Sequence, residues 1–286
     1  MITPFKENGD VDYDAFAHNI QKWNKTKLTG FLVLGSNSET PYLDYDEKLQ
    51  LIKSAVEAAA RDKYVIVGSG LESIRETIKL TNQAAKLGVK GALVLTPFYY
   101  WDKMNTPALI DYFTTVANNT DIPILIYNVP KYTHVNIGAD TVAKLSEHPN
   151  IIGMKDSLGD VPQLANFKRV TPDDFNILVG TASAWYPALA LGIKAGIHAL
   201  ANCCPNECVE IQELFNKGQW QEARDIYQRM LPVNTAVTGS YGISGLKYAC
   251  DLLGFKGGYV RSPLQPLSPS EKAEMGNLLK KARLLS

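Results

Sequence analysis

Several features that would place a chain in a broad functional class are missing from this sequence of 286 residues. Lysine plus arginine and aspartate plus glutamate number 29 each, so no basic surplus points to nucleic acid or to an anionic membrane surface. No apolar run approaches the roughly 20 residues that span a bilayer. Residues 1–10 have neither a secretory apolar core nor an Arg-rich transit character. We therefore expect a cytoplasmic protein with no nucleic-acid or membrane partner, and a mitochondrial location only if a further segment precedes Met1.

Cysteine is also sparse. The four cysteines are Cys203, Cys204, Cys208 and Cys250. Two adjacent thiols with a third on the next helical turn resemble half of a metal site, but a second pair and histidines at ligand spacing are missing. We therefore predict no metal, and we interpret the four cysteines as free thiols in a reducing compartment.

Short apolar runs recur along the first 205 residues, and amphipathic stretches of helical period lie between them. This alternation predicts a parallel sheet covered by helices. An open doubly wound sheet would need a glycine-rich phosphate loop, and Gly68-Ser69-Gly70-Leu71 is followed by Glu72 instead of a third glycine. The predicted strands are residues 31–34, 65–68, 92–95, 124–127, 151–155, 177–180 and 197–201.

An eighth strand is expected at Ile2-Thr3-Pro4, where it would be short or truncated. Eight parallel strands close into a barrel whose chemistry lies at the carboxyl ends of the strands. We therefore predict an α/β fold: a (β/α)8 TIM barrel over residues 1–205, and a C-terminal helical extension over residues 206–286 that packs on it. The predicted helices include 45–60, 74–87, 108–118, 139–147, 207–216, 219–230, 244–253 and 269–285.

Lys155 is the most informative residue, because it ends the apolar run 151–154. A desolvated lysine loses its proton more easily and can attack a carbonyl as a neutral amine. Tyr127 ends another apolar run one strand–helix unit upstream. If both runs are parallel strands, a phenol that can carry protons lies beside an imine-forming amine. The alternatives are a rim lysine held in an ion pair and a core tyrosine whose hydroxyl is bonded to the backbone.

Other polar residues follow the predicted strands and would meet at the same rim. The turn Gly35-Ser36-Asn37-Ser38-Glu39 can present backbone N–H groups and a hydroxyl to a carboxylate, or it is a plain strand–helix turn. Tyr99-Tyr100 is either part of this rim or an exposed aromatic pair at a subunit interface. His134 follows the Tyr127 strand and is a candidate to face the pocket, whereas His198 lies inside a predicted strand and is expected to be a core histidine.

This ordered set of motifs resembles that of the pyruvate-dependent class I aldolases, the family that includes dihydrodipicolinate synthase and N-acetylneuraminate lyase. The resemblance covers essentially the whole chain. It is carried by Thr3-Pro4-Phe5, Gly35-Ser36-Asn37-Ser38-Glu39, Thr96-Pro97-Phe98-Tyr99-Tyr100, Tyr127-Asn128-Val129-Pro130, Gly153-Met154-Lys155-Asp156, Gly180-Thr181-Ala182 and residues 261–267. Within the family, residues 148–157, Gly218-Gln219-Trp220, residues 234–238 and the Ser36-Asn37 pair are most similar to the 4-hydroxy-2-oxoglutarate aldolase branch.

The resemblance implies Lys155 as the Schiff-base lysine and Tyr127 as the proton relay. It implies that Ser36 links Tyr127 to Tyr99, with Tyr99 contributed by a neighbouring subunit. It also implies that the amides of Ser36 and Asn37 hold the carboxylate of pyruvate. The expected assembly is a homotetramer built as a dimer of dimers. No cofactor is expected, because the lysine itself supplies the electron sink.

The second substrate is less constrained. Synthases carry an arginine two residues after Tyr-Asn-Val-Pro, where this chain has Tyr132; Thr133-His134 replaces the usual Thr-Gly, and Ser38 replaces the usual glycine. We expect further substrate contacts from Ser157, Gly180, Ile197, Tyr132 and His134.

The resemblance implies reversible cleavage of a 4-hydroxy-2-oxo acid to pyruvate and an aldehyde, with 4-hydroxy-2-oxoglutarate giving pyruvate and glyoxylate as the first candidate. The alternatives are an aldolase for a 2-keto-3-deoxy sugar acid and a dihydrodipicolinate synthase. A non-catalytic oxo-acid sensor is disfavoured, because both Lys155 and Tyr127 are present.

Overall fold

The computed structural model describes residues 1–286 and contains one sheet of seven strands arranged in chain order, β1 to β7. Consecutive strands from β2 to β7 pair in parallel. This order, with helices between the strands, is the topology of a (β/α)8 barrel and confirms the predicted fold class. The strands are β1 Gly30–Val33, β2 Tyr64–Gly68, β3 Ala92–Leu95, β4 Ile124–Asn128, β5 Ile151–Asp156, β6 Asn176–Val179 and β7 Ala195–Gly196.

Helices connect the strands and make up most of the chain after residue 205. Many of them begin at side chains that accept the first free backbone N–H groups; Ser268 and Glu271, for example, form a reciprocal cap at the start of α12. The helices are α1 Tyr13–Asn24, α2 Tyr45–Ala58, α3 Ile74–Lys86, α4 Thr106–Asn118, α5 Pro130–Thr133, α6 Ala139–Leu145, α7 Val161–Val170, α8 Trp185–Ala190, α9 Pro205–Asn216, α10 Trp220–Thr235, α11 Gly242–Leu252 and α12 Pro269–Lys281.

Six of the predicted strands are confirmed to within one residue at each end, and the seventh prediction is wrong. The strand forms at Ala195–Gly196, and the predicted segment runs instead into a 3-10 turn at Ala199–Asn202. The cause is the carbonyl oxygen of Leu200, which accepts the N–H groups of Cys203 and Cys204 and so closes a turn.

The expected strand at Ile2-Thr3-Pro4 is also absent. The backbone N–H of Ile2 donates to the side-chain oxygen of Asn202 at 2.9 Å. Phe5 forms only isolated antiparallel bridges, with Val11 and Tyr259. The segment is therefore held by side-chain and bridge contacts and adds no strand to the sheet.

The chain forms two compact units, which we call the first and second unit. The first unit comprises Met1–Tyr64 and His198–Ser286, and its core includes Trp23 stacked on Phe255 at 5.7 Å between ring centroids. The second unit comprises Val65–Ile197, and the apolar side chains of β3, β4 and β5 form much of its core. The predicted division of the chain into a barrel over residues 1–205 and a helical extension over residues 206–286 stays a prediction.

The four cysteines are buried and free, as the sequence predicts. The sulfur atoms of Cys203 and Cys204 lie 3.7 Å apart. Hydrogen bonds from the Cys204 and Cys250 thiols hold the pKa of Cys203 well below its ordinary value. No helix of the chain combines the length and the apolar character that crossing a bilayer requires.

Candidate active site

The carboxyl ends of β4 and β5 bring a phenol and an amine together. The register of the two strands pairs Tyr127 with Lys155. The Nζ atom of Lys155 lies 4.3 Å from the centroid of the Tyr127 ring. Both residues are only 6% exposed. Lys155 makes no ion pair, so the alternative of a rim lysine held by a carboxylate does not describe the structure.

The space beside Lys155 exists because residue 180 is glycine. A Cβ atom at Gly180 would lie 2.9 Å from Cε of Lys155 and 1.9 Å from Oγ of Ser157. The Gly180 N–H donates to the carbonyl oxygen of Asp156 at 2.6 Å, which fixes the start of this loop against β5. Gly180 therefore allows the lysine chain and the serine to occupy this position.

Ser157 carries a polar atom with no partner. Its backbone N–H donates to the carbonyl oxygen of Asn128 at 2.9 Å, so the residue is held against β4. Its Oγ atom is buried and makes no hydrogen bond. Because buried hydroxyls are nearly always paired, this one is available to a bound molecule.

A polar network beneath the Tyr127–Lys155 pair was not predicted from the sequence. Nδ2 of Asn128 donates to Oδ1 of Asp156 at 2.6 Å and to Oδ1 of Asn136 at 2.9 Å. Nε2 of Gln163 donates to the same Asp156 oxygen at 3.2 Å. Burial raises the pKa of Asp156, and hydrogen bonds from Asn128, the backbone and Gln163 oppose that change.

The available signal for this network was the motif itself, since Asn128 and Asp156 directly follow Tyr127 and Lys155 in the chain. Successive side chains of a strand point to opposite faces of the sheet. The network therefore ties β4 to β5 on the face opposite the amine and the phenol.

Tyr132 and His134 lie at the short helix α5. The Tyr132 ring is 48% exposed, but burial of its hydroxyl and the neighbouring Tyr127 phenol raise its pKa. His134 ends the helix in the left-handed conformation, with φ of 56°, and is exposed with its ring 6.2 Å from that of Trp101. The Tyr127 phenol therefore acts on Tyr132 electrostatically, whereas substrate contacts by Tyr132 and His134 stay predictions.

Residues 98–101 form an exposed group of aromatic side chains, which we call the aromatic loop. Its backbone is held by Glu72, whose carboxylate accepts the N–H groups of Phe98 at 3.1 Å and Tyr99 at 3.0 Å. Tyr99 is 74% exposed and packs edge-on against Tyr100 with ring centroids 5.0 Å apart. Adjacent exposed aromatic rings are typical of surfaces that bind another protein.

Ile197 and His198 directly follow β7, the last strand of the sheet. The backbone N–H of Ile197 donates to the carbonyl oxygen of Val179 at 3.0 Å, which holds this half-buried residue against β6. His198 is buried, as expected for a core histidine, although it precedes a 3-10 turn and lies in no strand.

In the first unit, the turn after β1 contains Ser36 and Asn37, both half-buried. It forms a 3-10 turn at Ser36–Ser38, closed by the Ser38 N–H donating to the carbonyl oxygen of Gly35 at 2.9 Å. The Ser38 hydroxyl donates to the carbonyl oxygen of Met1 at 2.7 Å. The replacement of the family's usual glycine by serine thus adds a tether to the turn.

The whole chain is similar to one family of known proteins. The model of the dihydrodipicolinate synthetase family matches residues 1–282. A curated 4-hydroxy-tetrahydrodipicolinate synthase from Thermodesulfovibrio yellowstonii is 34% identical over 285 residues, covering 100% of this chain and 97% of the relative. The same enzyme from Archaeoglobus fulgidus is 33% identical and also covers 100% of this chain and 97% of the relative.

Solved structures give the same result. The dihydrodipicolinate synthase of Aquifex aeolicus superposes with a TM-score of 0.93 at 34% identity, covering 99% of this chain and 96% of the other. The synthase of Bacillus anthracis gives a TM-score of 0.93 at 29% identity, covering 98% and 95%. A monomeric dihydrodipicolinate synthase variant gives 0.94 at 29% identity, covering 100% and 95%.

Proposed function

Because the chain belongs to the dihydrodipicolinate synthetase family and is a carbon–carbon lyase of the Schiff-base aldolase type, we propose that it cleaves a 4-hydroxy-2-oxo acid reversibly to pyruvate and an aldehyde. The first candidate substrate is 4-hydroxy-2-oxoglutarate, which gives pyruvate and glyoxylate. One observation carries the proposal: the Lys155 amine lies 4.3 Å from the Tyr127 ring and has no ion-pair partner.

The reaction begins at the ketone carbon of the substrate. The neutral amine of Lys155 adds to this carbon and gives a carbinolamine, and a proton passes from nitrogen to the former carbonyl oxygen. The Tyr127 phenol then protonates the carbinolamine hydroxyl, so that loss of water leaves a protonated imine and a Tyr127 phenolate. We assign the proton transfers to the Tyr127 phenol, which lies beside the amine.

Carbon–carbon cleavage follows from the electron demand of that imine. The Tyr127 phenolate accepts the proton of the substrate's 4-hydroxyl group, the C3–C4 bond breaks, and the electron pair moves into the protonated imine to give an enamine. The aldehyde leaves, Tyr127 returns that proton to the enamine carbon, and water hydrolyses the resulting imine to release pyruvate and Lys155, with Tyr127 regaining its proton from the attacking water. The lysine is therefore the electron sink.

The remaining site residues take the roles that the resemblance implies. The amides of Ser36 and Asn37 receive the pyruvate carboxylate, and Ser36 passes protons between Tyr127 and Tyr99. Around the imine, the residues proposed to contact substrate are Ser157, Gly180, Ile197, Tyr132 and His134. The unpaired Ser157 hydroxyl supports its assignment.

A second candidate is 4-hydroxy-tetrahydrodipicolinate synthase, the activity named for the curated relatives. That reaction condenses pyruvate with aspartate semialdehyde, which carries a carboxylate that an arginine side chain would bind. Tyr132 occupies the position of that arginine, and a phenol cannot form the bidentate, charge-assisted contact of a guanidinium with a carboxylate. This difference favours the aldolase.

We also propose a homotetramer built as a dimer of dimers, with Tyr99 entering the neighbouring subunit's site. The exposed aromatic loop supports a shared interface. Sedimentation should show an oligomer, and a Tyr99→Phe subunit mixed with a Lys155→Ala subunit should form some dimers with one intact site. A fully active monomer would refute the proposed assembly. One solved relative is a monomeric variant, so a monomeric form is known for one member of the family.

The primary experiment is reduction with borohydride in the presence of pyruvate. The peptide containing Lys155 should gain the mass of the reduced adduct, and Lys155→Ala should abolish it. An adduct on another lysine, or none, would refute the proposal. A panel of glyoxylate, sugar-derived aldehydes and aspartate semialdehyde, assayed with pyruvate, then separates the three candidate reactions. Efficient condensation of aspartate semialdehyde would assign the synthase.

A further inference from the structure

The proposed carboxylate-binding turn is bracketed by two strained residues. Leu34 and Glu39 have φ angles of 58° and 54°, in the left-handed region that favours glycine. Such conformations are unfavourable for residues other than glycine and persist only where the surroundings hold them in place. The residues that fix Glu39 therefore determine where the amides of Ser36 and Asn37 point.

Glu39 is held by a buried ion pair with a lysine from the distant helix α11. Nζ of Lys247 lies 2.5 Å from Oε1 of Glu39, and the two side chains are 2% and 0% exposed. The two atoms are close enough to form an ion pair, but their angles are not those of a hydrogen bond. The ammonium donates its hydrogen bond to the carbonyl oxygen of Tyr259 at 2.5 Å, and Oε2 of Glu39 accepts the N–H of Arg261 at 2.9 Å.

The remaining surroundings of Lys247 are an aromatic ring, the backbone of Gly257 and two titratable side chains. Its Nζ lies 4.5 Å from the centroid of the Phe5 ring, and a Cβ atom at Gly257 would lie 2.0 Å from its carbonyl oxygen. The other charged or titratable groups that act on it are Asp251 and Cys250. With its side chain 2% exposed, Lys247 is shielded from solvent.

We propose that Lys247 is a positioning residue: through its ion pair with Glu39 it holds the turn of Ser36–Ser38 in the geometry that receives the substrate carboxylate. This inference rests on the proposed function, because it assigns that turn to substrate binding. Lys247 should influence the affinity for pyruvate without taking part in imine chemistry. Its loss should therefore raise the pyruvate concentration needed for half-maximal adduct and leave the final yield at saturation unchanged.

The test is borohydride trapping on Lys155 over a series of pyruvate concentrations. Lys247→Met should raise the half-saturating concentration by about tenfold, which corresponds to ~1.4 kcal/mol of binding free energy. The control is Lys27→Met, the same substitution in an exposed pair with Glu213, where the lysine side chain is 73% exposed. The control should trap pyruvate as the unmodified protein does.

A double variant separates positioning from folding. Lys247→Met alone leaves the Glu39 carboxylate buried and unpaired, which is strongly destabilising, whereas adding Glu39→Gln removes that charge. The double variant should therefore regain stability against urea while keeping the raised half-saturation for pyruvate. If half-saturation returns to normal together with stability, Lys247 is only structural and the inference is overturned. If Lys247→Met alone fails to fold, the double variant and Glu39→Gln decide the question.

The two proposals fail in different ways. Absence of an adduct in the unmodified protein would refute the Schiff-base mechanism, and the inference with it. If the unmodified protein forms the adduct normally and the double variant has an unchanged half-saturating pyruvate concentration, only the positioning role of Lys247 is refuted, and the Schiff-base mechanism stands. A fall in saturating yield with unchanged half-saturation would also contradict positioning.

Discussion

The protein contains two buried lysines, one in each compact unit, and they differ in their polar partners. Lys155 is 6% exposed and Lys247 is 1% exposed, and each ammonium lies over an aromatic ring, at 4.3 Å from Tyr127 and 4.5 Å from Phe5. Lys247 also has a carboxylate at 2.5 Å, and Lys155 has none. Burial and ring contact are thus shared, whereas the Glu39 carboxylate and the Tyr259 carbonyl oxygen are partners of Lys247 alone.

The anion decides what each lysine can do. The Glu39 carboxylate opposes the effect of burial on the pKa of Lys247, and removing either partner leaves an uncompensated charge. Lys155 has no carboxylate that ties it into an ion pair, as the proposed nucleophilic attack requires. Burial alone therefore does not single out the lysine that we propose to form the imine.

The largest expected effect is at the partner of Lys155. Tyr127→Phe removes the proposed proton carrier and keeps the ring, so turnover should fall by roughly 10²–10⁴-fold, as for other general acid–base groups. Pyruvate should still bind. Tyr112→Phe is the matched control, because Tyr112 is another buried tyrosine of the second unit, hydrogen-bonded to Thr77 and the Leu71 carbonyl. Near-normal turnover in Tyr127→Phe would remove the phenol from the mechanism.

A smaller effect is expected from crowding the lysine. Gly180→Ala places a methyl group 2.9 Å from Cε of Lys155 and 1.9 Å from Oγ of Ser157, so the amine must move. A displacement near 1 Å can cost about 10²-fold in rate, and we expect slower imine trapping of that order. Gly138→Ala is the control, since a Cβ atom there meets nothing within 4 Å. Equal trapping rates in both variants would show that Lys155 does not need this space.

Substrate choice should respond to Tyr132. Tyr132→Arg supplies a guanidinium near Tyr127 and should raise the ratio of kcat/KM for aspartate semialdehyde over glyoxylate by about tenfold, the effect of one charge-assisted hydrogen bond of ~1.5 kcal/mol. Tyr132→Phe is the control for loss of the hydroxyl alone. If Tyr132→Arg leaves the ratio of the two kcat/KM values unchanged, residue 132 does not contact the aldehyde substrate.

The sequence predicted one of the two lysines and not the other. Lys155 was recognisable because a cation at the end of an apolar strand is unusual, and the Tyr127 strand lies one strand–helix unit away. Lys247 lies inside a predicted helix, where lysines usually face solvent, and its partner Glu39 is far away in the chain. Contacts between distant segments leave no periodic signal, so this pair became visible only in the folded structure.

Errors in the fold prediction have a similar origin. Residues 197–201 are mostly apolar, and periodicity cannot separate a short strand from a buried turn. The predicted helix ended at residue 230, yet α10 continues through Pro232 to Thr235 and is followed by a π-turn at Ala236–Ser240. Tertiary packing overrides local preference at both places.

The last prediction concerns the response of stability to pH at Lys247. Burial lowers the pKa of Lys247 from 10.5 to about 8, although Glu39 opposes that change. Between those two values the unfolded chain binds more protons at this lysine than the folded chain, so this group makes the free energy of unfolding rise with pH. The slope can reach at most ~1.4 kcal/mol per pH unit. In urea unfolding, the stability difference between the unmodified protein and Lys247→Met should therefore widen from about pH 8 to about pH 10. A Lys247→Met difference that stays constant, or narrows, over this range would contradict the lowered pKa.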